Sequence, residues 1–334
     1  MNGSFDGVEV LEAVACENLG VFPLRRRPDG QQEKPRRYLL APEAIGKELM
    51  QVREVGGGGS VPQLVVRNLS DQAVLFVEGE ELVGAKQNRV LNTSVLVGAG
   101  ADCVIPVSCI EHGRWREISR GFGSDGQVSP SHLRHKLKRS VTRSLRKKRA
   151  HTSDQAEVWR DIESQQHDMK VHSRTAAMSD TFARYKDRID RFRRALGCPD
   201  RCHGLVAVVD GHIVGMDLFD SDEVCARAWD RLLSGYAVDA LRSEQNRMAS
   251  PKRELVGVGA GRPGFTQGEL FGRRLNQQDI EVFLERLAES KWEEAPAVGE
   301  GCEYRLELGP HQQASMLYWQ DAVLHASATV EVTS

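Results

Sequence analysis

The sequence has no long apolar run and carries almost no net charge. None of its apolar segments approaches the ~20 residues that a membrane-spanning helix requires, so we expect no membrane span. The formal net charge is −2 over 334 residues, which gives the whole molecule no field that would attract nucleic acid or an acidic membrane. With 40% apolar residues, the chain is long and apolar enough to bury a sizeable core.

The sequence also lacks the cysteine pattern of a secreted protein. Its seven cysteines are an odd number and are scattered along the chain, which is typical of reduced thiols and not of a disulfide framework. The first twelve residues, MNGSFDGVEVLE, contain three acids and no basic residue, so they are not expected to form a signal peptide. We therefore expect a cytoplasmic protein.

The first third of the chain is rich in β-forming residues. Four runs between residues 63 and 115 are dominated by Val, Leu and Ile and are separated by turn sequences: QLVVRN, AVLFVEG, RVLNTSVLV and CVIPVSCIEHGRW. The runs are too closely spaced for the helical crossovers of a doubly wound parallel sheet. The pattern predicts a β-rich portion over residues 1–120, with a sandwich- or barrel-like sheet.

The middle of the chain, residues 121–200, is predicted to be helical and basic. Residues 131–149 hold nine Lys/Arg and no acid. An apolar stripe with a spacing of four residues predicts one helix there, and it consists of Leu133, Leu137, Val141 and Leu145. The basic helix could contact an acidic partner or nucleic acid. The alternative is a solvated face that acids elsewhere neutralise, and no aromatic residue is interleaved with the charges.

The last portion, residues 201–334, is predicted to combine a hairpin with a helix. Two apolar strands flank Asp210-Gly211 within residues 203–219, and this dipeptide favours a type I′ turn. A strong helical pattern follows, and returning strands complete the chain. The sequence thus predicts an α+β protein in three portions, the third of which packs with the first.

Polar residues crowd a stretch that otherwise reads as buried strands, VEGEELVGAKQNRVLNTSVL at 77–96. Buried charges must be paired or wetted, because an isolated one costs several kcal/mol. We predict Glu80 and Glu81 as candidates for a general base. The predicted ligand-binding residues are Lys86, Gln87, Asn88, Arg89, Asn92, Thr93, Glu111 and Arg114. The alternative is a loop between two strands whose turn is fixed by a Glu–Arg pair.

Two further candidates are weaker. Cys109 lies close to Glu111 and His112 in sequence, but a small buried thiol is the favoured interpretation. Asp217 ends a strand and either faces a cleft or binds nearby backbone donors. We predict no cofactor and no metal. Zinc usually takes two spaced pairs of ligands, and no second pair accompanies Cys198, Cys202 and His203.

The polar stretch and its surroundings resemble the bacterial family named for its association with ADP-ribosylglycohydrolases and with rhodanese–phosphatase proteins. The segments with this resemblance are GEELVGAKQNRVLNTSVLV, IPVSCIEHGRW, GLVAVVDGHIVGMDLFDS and AWDRLLSGYAVDA. Ile110 and His112 stand where valine and glutamine are commoner in that family. The name records neighbours in genomes and fusions, so the resemblance implies NAD- or ADP-ribose-linked chemistry or a stress and conflict system, by association alone.

Three functions are compatible with these features. The first is a binding or sensing module for a phosphorylated, ADP-ribose- or nucleotide-like small molecule. Arg89 and Arg114 would then hold phosphate, while Glu80, Glu81 and Asn92 would hold ribose. The second is a hydrolase of such a molecule with a glutamate base. The third is a protein–protein scaffold with a structural polar stretch. Whether the protein is an enzyme is left open by the sequence.

Overall fold

A computed structural model of the protein describes residues 5, 7–27, 38–56, 62–114, 119, 121–124, 127–148, 150–249 and 275–332. The described strands are β1 (Val8–Val10), β2 (Val14–Cys16), β3 (Leu19–Arg26), β4 (Tyr38–Leu40), β5 (Met50–Glu54), β6 (Gln63–Asn68), β7 (Ala73–Phe76), β8 (Glu81–Gly84), β9 (Arg89–Leu91), β10 (Val95–Val97), β11 (Asp102–Cys109), β12 (Phe122–Gly123), β13 (Gly204–Val209), β14 (His212–Phe219), β15 (Glu293–Ala295), β16 (Cys302–Glu307), β17 (Gln312–Trp319) and β18 (Ala322–Val330). The described helices are α1 (Ala41–Gly46), α2 (Ser131–Lys148), α3 (Gln155–Asp168), α4 (Met178–Arg184), α5 (Lys186–Ala195), α6 (Asp222–Ala249) and α7 (Gln277–Glu289).

The largest sheet joins the two ends of the chain. Its nine strands run in the order β1-β3-β13-β14-β18-β17-β16-β15, with β2 paired to β3 off this path. Strand β3 pairs with β13 from Leu19↔Val209 to Leu24↔Gly204, so residues near the N-terminus share a sheet with residues beyond 201. This pairing crosses the predicted boundary between portions, and the three-portion division itself stays a prediction.

A barrel-like part is formed by strands β4 to β12. A sheet of three strands, β10-β7-β4, and a sheet of six, β12-β8-β9-β11-β6-β5, enclose one apolar core. Residues from both sheets meet in it, among them Phe76 and Val95 from the first and Leu64 and Ile105 from the second. The α+β class and the barrel-like N-terminal sheet are therefore confirmed.

Helix α2 lies at the centre of the molecule. Its predicted stripe is buried, since Leu133, Leu137 and Val141 are fully inaccessible and Leu145 is 9% exposed. The helix packs on β14, β16, β17 and β18 and also touches α3 and α6. A helix that was predicted from its apolar spacing thus packs across the large sheet and carries two of its basic residues, Arg134 and Lys138, into the interior.

The predicted hairpin is also confirmed. Strands β13 and β14 pair antiparallel across Asp210 and Gly211. Both turn residues have positive φ, 50° and 80° respectively, as a type I′ turn requires. Among the described residues, no helix combines the length and apolar content that crossing a membrane demands.

Substitution of Leu137 by alanine tests the central position of α2. The side chain is fully buried in the largest core cluster, so its truncation is expected to lower the free energy of unfolding by about 2–5 kcal/mol. Urea unfolding followed by circular dichroism measures this loss. Val104→Ala is the control, because Val104 is 47% exposed. A loss at Leu137 no larger than at Val104 would contradict the fold.

Candidate functional site

Two carboxylates and two cations form an ion-pair network inside the protein. Glu78 pairs with Lys138, and Asp217 accepts from Arg134 at 2.9 and 2.5 Å in a bidentate contact. All four side chains are at most 1% exposed. Ser327 Oγ accepts from both cations, at 2.6 Å from Arg134 and 3.0 Å from Lys138. The formal charges of this central network cancel, which is the condition under which buried charges are tolerated.

The pKa values of the network follow from burial and pairing. Burial alone would raise the pKa of Glu78, but Lys138 and Arg134 outweigh it and lower that pKa. The pKa of Asp217 is lowered in the same way, chiefly by Arg134 against the effect of burial. Burial lowers the pKa of Lys138 to about 8, against the opposing effect of Glu78. The two carboxylates are thus held in their charged forms at neutral pH.

A serine, a histidine and an aspartate line up beside this network. Ser94 Oγ lies 2.8 Å from His325 Nδ1, and His325 Nε2 lies 3.0 Å from Asp217 Oδ1. The order resembles the Ser-His-Asp relay of hydrolases. However, Ser94 is only 6% exposed and its hydroxyl accepts the backbone N–H of Glu78 at 3.0 Å. The serine is therefore a link in the interior and not a nucleophile that a substrate can reach.

The candidate base Glu80 forms an ion pair with Arg231 of α6. Its Oε1 pairs with Arg231, and its Oε2 accepts the backbone N–H of Val77 at 3.0 Å. The glutamate is 1% exposed, and burial raises its pKa in spite of Arg231. A carboxylate in this position is shielded from water, so it could activate water only if the pair opened.

Four of the predicted residues do converge near the β8–β9 turn. Arg114 pairs with Glu111 at 2.5 Å and donates to Asn88 Oδ1 at 3.0 Å. The backbone N–H of Asn88 donates to Glu111 Oε2 at 3.2 Å, and its side-chain amide donates to Glu81 Oε1 at 3.3 Å. Arg114 further donates to the backbone oxygen of Ala85, which has a positive φ of 43°. Lys86 is half-buried beside this cluster. The cluster fixes a strained turn.

Arg89 lies in a separate buried group. It donates to Gln87 Oε1 at 3.1 Å, contacts Cys109 Sγ, and pairs with Glu54 at 3.3 Å. Burial raises the pKa of Cys109 to about 11, although Arg89 opposes it. A thiol in this state is a poor nucleophile. The favoured interpretation of Cys109 as a small buried thiol agrees with this geometry.

Asn92 and Thr93 connect the polar stretch to the large sheet. Asn92 Oδ1 accepts from Ser108 at 2.6 Å, and its amide donates to the backbone oxygen of His151 at 3.0 Å. Thr93 Oγ1 accepts from Arg305 Nη2 at 3.0 Å. Arg305 in turn pairs with Glu303 at 2.5 Å. Both predicted residues thus bind protein groups.

The predicted residues therefore divide into several groups and do not meet in one pocket. Each charged residue among Glu80, Arg89, Glu111 and Arg114 has a charged protein partner. The sequence interpretation missed six charged residues of these buried networks, which are Glu54, Arg134, Lys138, Arg231, Glu303 and Arg305. One signal was present, since Arg134 and Lys138 directly follow stripe residues of α2. The role of the predicted set in ligand binding stays a prediction.

Two surface cavities lie elsewhere. The larger, of about 700 Å³, is open and is lined by Glu17, Asn18, Arg188, Arg191, Glu244 and Arg247; we call it the arginine cleft. The smaller, of about 280 Å³, lies between α2 and β15 and has Arg305 in its lining. Among the described residues, neither lining includes any of the residues predicted for catalysis or ligand binding.

Several cations of the basic helix form ion pairs with acids of the same chain. Its cations Lys136, Arg139 and Arg146 pair with Glu331, Glu157 and Glu293, in that order. Arg134 and Lys138 lie in the central network. These pairs agree with the alternative of a face that acids elsewhere neutralise, and contact with nucleic acid or an acidic partner stays a prediction.

The comparison with known proteins identifies the family. The profile described as "ARG and Rhodanese-Phosphatase-superfamily-associated Protein domain" matches residues 7–329. The chain belongs to this family. Searches of curated proteins and of solved structures give no match. The match spans nearly the whole chain, so the family unit includes both the barrel-like part and the large sheet.

The two positions singled out in the sequence as expected departures from the family pattern have distinct environments. Ile110 is fully buried in the main core. His112 stacks on Trp159 with ring centroids 4.1 Å apart, which is a packing role for the ring. Residue 115, the tryptophan of the resembling segment, lies outside the described residues.

A double-mutant cycle on Glu80 and Arg231 tests the structural role of this pair. Glu80→Gln alone, or Arg231→Met alone, leaves a buried group without its counter-charge and is expected to cost about 3–5 kcal/mol of unfolding free energy. The double variant should lose less unfolding free energy than the two single variants together, by at least about 1 kcal/mol. Urea unfolding gives all three values. Arg67→Met and Asp102→Asn provide the matched cycle, because that pair is 59% and 49% exposed. Equal coupling in both cycles would contradict burial of the Glu80 pair.

Acid titration tests the central network. The pKa of Asp217 is lowered in the folded protein relative to its ordinary value of 3.8, so the unfolded chain takes up the proton first as the pH falls. The stabilisation from Asp217 is therefore complete above about pH 5 and declines below it. Unfolding free energies at pH 7, 5 and 3.5 should fall less steeply for Asp217→Asn than for the unsubstituted protein. Asp71→Asn, at an exposed position, should leave the slope unchanged. Identical slopes for Asp217→Asn and the unsubstituted protein would refute this.

Proposed function

We propose that this protein is a binding module for a phosphorylated small molecule, and that the ligand occupies the arginine cleft. The observation behind this proposal is that three arginines, Arg188, Arg191 and Arg247, line one open cleft of about 700 Å³. This volume is within the usual range for small-molecule sites, about 300–1,000 Å³. Guanidinium groups are well suited to phosphate because they donate in a planar fork.

The charge pattern of the cleft suits a ligand with both phosphate and hydroxyl groups. Arg191 is 64% exposed and pairs with Glu17 at 3.2 Å, so its guanidinium group is accessible to a ligand in the cleft. Arg188 is held by Glu17 at 2.5 Å and by Glu244 at 3.0 Å. Arginines could bind phosphate while the two carboxylates accept hydrogen bonds from sugar hydroxyls. A sugar phosphate or nucleotide-like compound has both kinds of group.

The polar stretch at 77–96 then acts as the framework of the module. Binding a phosphate between Arg89 and Arg114 would require these arginines to leave Glu54 and Glu111. Breaking a buried pair costs about 3–5 kcal/mol, which the ligand would have to offset. The hydrolase alternative has the same difficulty, because Glu80 is paired with Arg231 and 1% exposed.

The family description adds an association with ARG and rhodanese-phosphatase proteins. ADP-ribose-like compounds are consistent with this association, and they would be the first to screen. A cytoplasmic location is part of the proposal. All seven cysteines lie among the described residues as free thiols, in keeping with a reducing compartment.

A protein–protein scaffold is the second candidate. The observation in its favour is that the polar stretch binds distant segments together, through Lys138 and Arg231 across 60 and 151 residues of sequence. A rigid framework of this kind suits a protein that presents a fixed surface to a partner.

Thermal-shift and calorimetric binding experiments distinguish these functions. ADP-ribose, AMP, inorganic phosphate and unphosphorylated ribose are tested in turn. Because a ligand that binds only the folded state raises the melting temperature, one of the phosphorylated compounds should raise it and ribose should not. Arg191→Glu should raise the dissociation constant of that compound by about tenfold or more, since a charge-assisted phosphate contact is replaced by repulsion.

Arg53→Glu is the matched control, because Arg53 is an exposed arginine outside the cleft. It should leave the dissociation constant unchanged. Absence of binding by any of the phosphorylated compounds would overturn the proposal and favour the scaffold. Binding that survives Arg191→Glu but is lost in Arg114→Gln would move the site to the polar stretch.

A further inference from the structure

Three cysteines from separate chain segments meet beside the large sheet. Cys198 follows α5, Cys202 precedes β13, and Cys225 lies in the first turn of α6. Their Sγ atoms all lie within 4.8 Å of one another. Cys198 is half-buried, whereas Cys202 and Cys225 are 1% and 0% exposed. We call this group the thiol cluster.

The third member of the thiol cluster is Cys225 and not His203, although His203 is nearer to Cys202 in sequence. His203 adjoins Cys202, but its Nδ1 lies 3.1 Å from the backbone oxygen of Arg201 and 3.4 Å from the backbone nitrogen of Arg26. Cys225, 23 residues farther along the chain, takes the third position instead. The set is thus three sulfur atoms and contains no imidazole.

We propose that the thiol cluster binds one thiophilic metal ion of the zinc class through three thiolates, with a water or other exchangeable ligand in the fourth position. Tetrahedral zinc with Zn–S bonds of about 2.3 Å places its sulfur atoms about 3.8 Å apart. The side chains would need to approach by no more than about 1 Å from their separation of at most 4.8 Å. This adjustment is within reach of rotations about χ1. Thiolate sets of this kind select zinc and similarly soft ions over magnesium or calcium.

Two groups that stabilise negative charge lie near the cluster. Cys225 lies near the N-terminus of the 28-residue helix α6, whose dipole stabilises negative charge. Arg25 binds the backbone oxygen of Asp200 at 3.3 Å, which brings a cation to the same loop. On binding, the thiol protons pass to the solvent, and the thiolate charges are largely neutralised by the ion.

The partial exposure of Cys198 leaves one side of the cluster open for the exchangeable fourth ligand of the proposed ion. Two of the sulfur atoms are enclosed by the core, so the open side of the cluster is the side of Cys198. A metal site with three protein ligands and one exchangeable ligand keeps a position for an external group, unlike a closed structural site. The proposed ion would also join the loop after α5 to α6, which stabilises the folded protein by its binding free energy.

Metal content and cobalt spectroscopy of the full chain test this proposal. The protein, purified without chelator, should contain about one zinc ion per chain by elemental analysis. After removal of the metal, Co²⁺ should bind with one-to-one stoichiometry and give the thiolate-to-cobalt charge-transfer absorption in the near ultraviolet. Cys198→Ser and Cys225→Ser should each lower the affinity for Co²⁺ by at least tenfold, and circular dichroism should verify that both remain folded.

Cys302→Ser is the matched control, since Cys302 is an exposed thiol in β16; its cobalt spectrum should be unchanged. Iodoacetamide labelling of Cys198 in the unsubstituted protein provides a measurement that needs no variant, and zinc should slow it. Two results would overturn the proposal. One is the absence of both bound zinc and a charge-transfer band in the folded protein. The other is a disulfide among the three cysteines in protein purified without oxidant.

Discussion

The structure depends on the neutralisation of Glu78 and Asp217 by two cations of one helix. Arg134 and Lys138 are one helical turn apart on α2, so their side chains leave the helix in the same direction. Glu78 belongs to the barrel-like part and Asp217 to the hairpin strand β14. Removal of either cation would leave an uncompensated charge in the interior, where isolated charges cost several kcal/mol. Helix α2 therefore fixes the barrel-like part against the large sheet by electrostatics as well as by its apolar stripe.

The same constraint explains how much of the fold and site the sequence could predict. The apolar spacing of α2 and the Asp210-Gly211 turn are local patterns, and both were sufficient to predict their elements. The argument that the charges at 77–96 must be paired or wetted was also correct as physics. The sequence could not decide whether these charges are paired or solvated. Their partners are distant in sequence, since Glu78 and Lys138 are 60 residues apart and Glu80 and Arg231 are 151 residues apart. A single sequence specifies that partners are needed and does not specify which ones are near.

The thiol cluster illustrates the same limit. Cys198 and Cys202 form a recognisable local pair, and a search for a second pair by spacing finds none. The third sulfur comes from the first turn of α6, whose position depends on the packing of that helix against β13 and β14. Only the path of the chain through the hairpin returns Cys225 to the loop that holds the other two. Metal-ligand spacing rules detect sites within one loop or helix, and they miss sites that the tertiary structure assembles.

The hairpin also connects the interior network to the arginine cleft. Asp217 lies on β14, and Asp210 lies in the turn between β13 and β14. Asp210 Oδ2 accepts from Asn18 at 3.2 Å and from Ser243 at 2.6 Å, and Asp210 pairs with Arg247 of the cleft. One end of the hairpin is thus held by the buried charges and the other supports the cleft. Because a two-stranded hairpin within a sheet is stiff, its turn holds Arg247 of the cleft at a fixed position relative to the interior network. In the proposed binding module, such preorganisation would lower the entropic cost of binding, and the buried polar stretch would serve recognition without touching the proposed ligand.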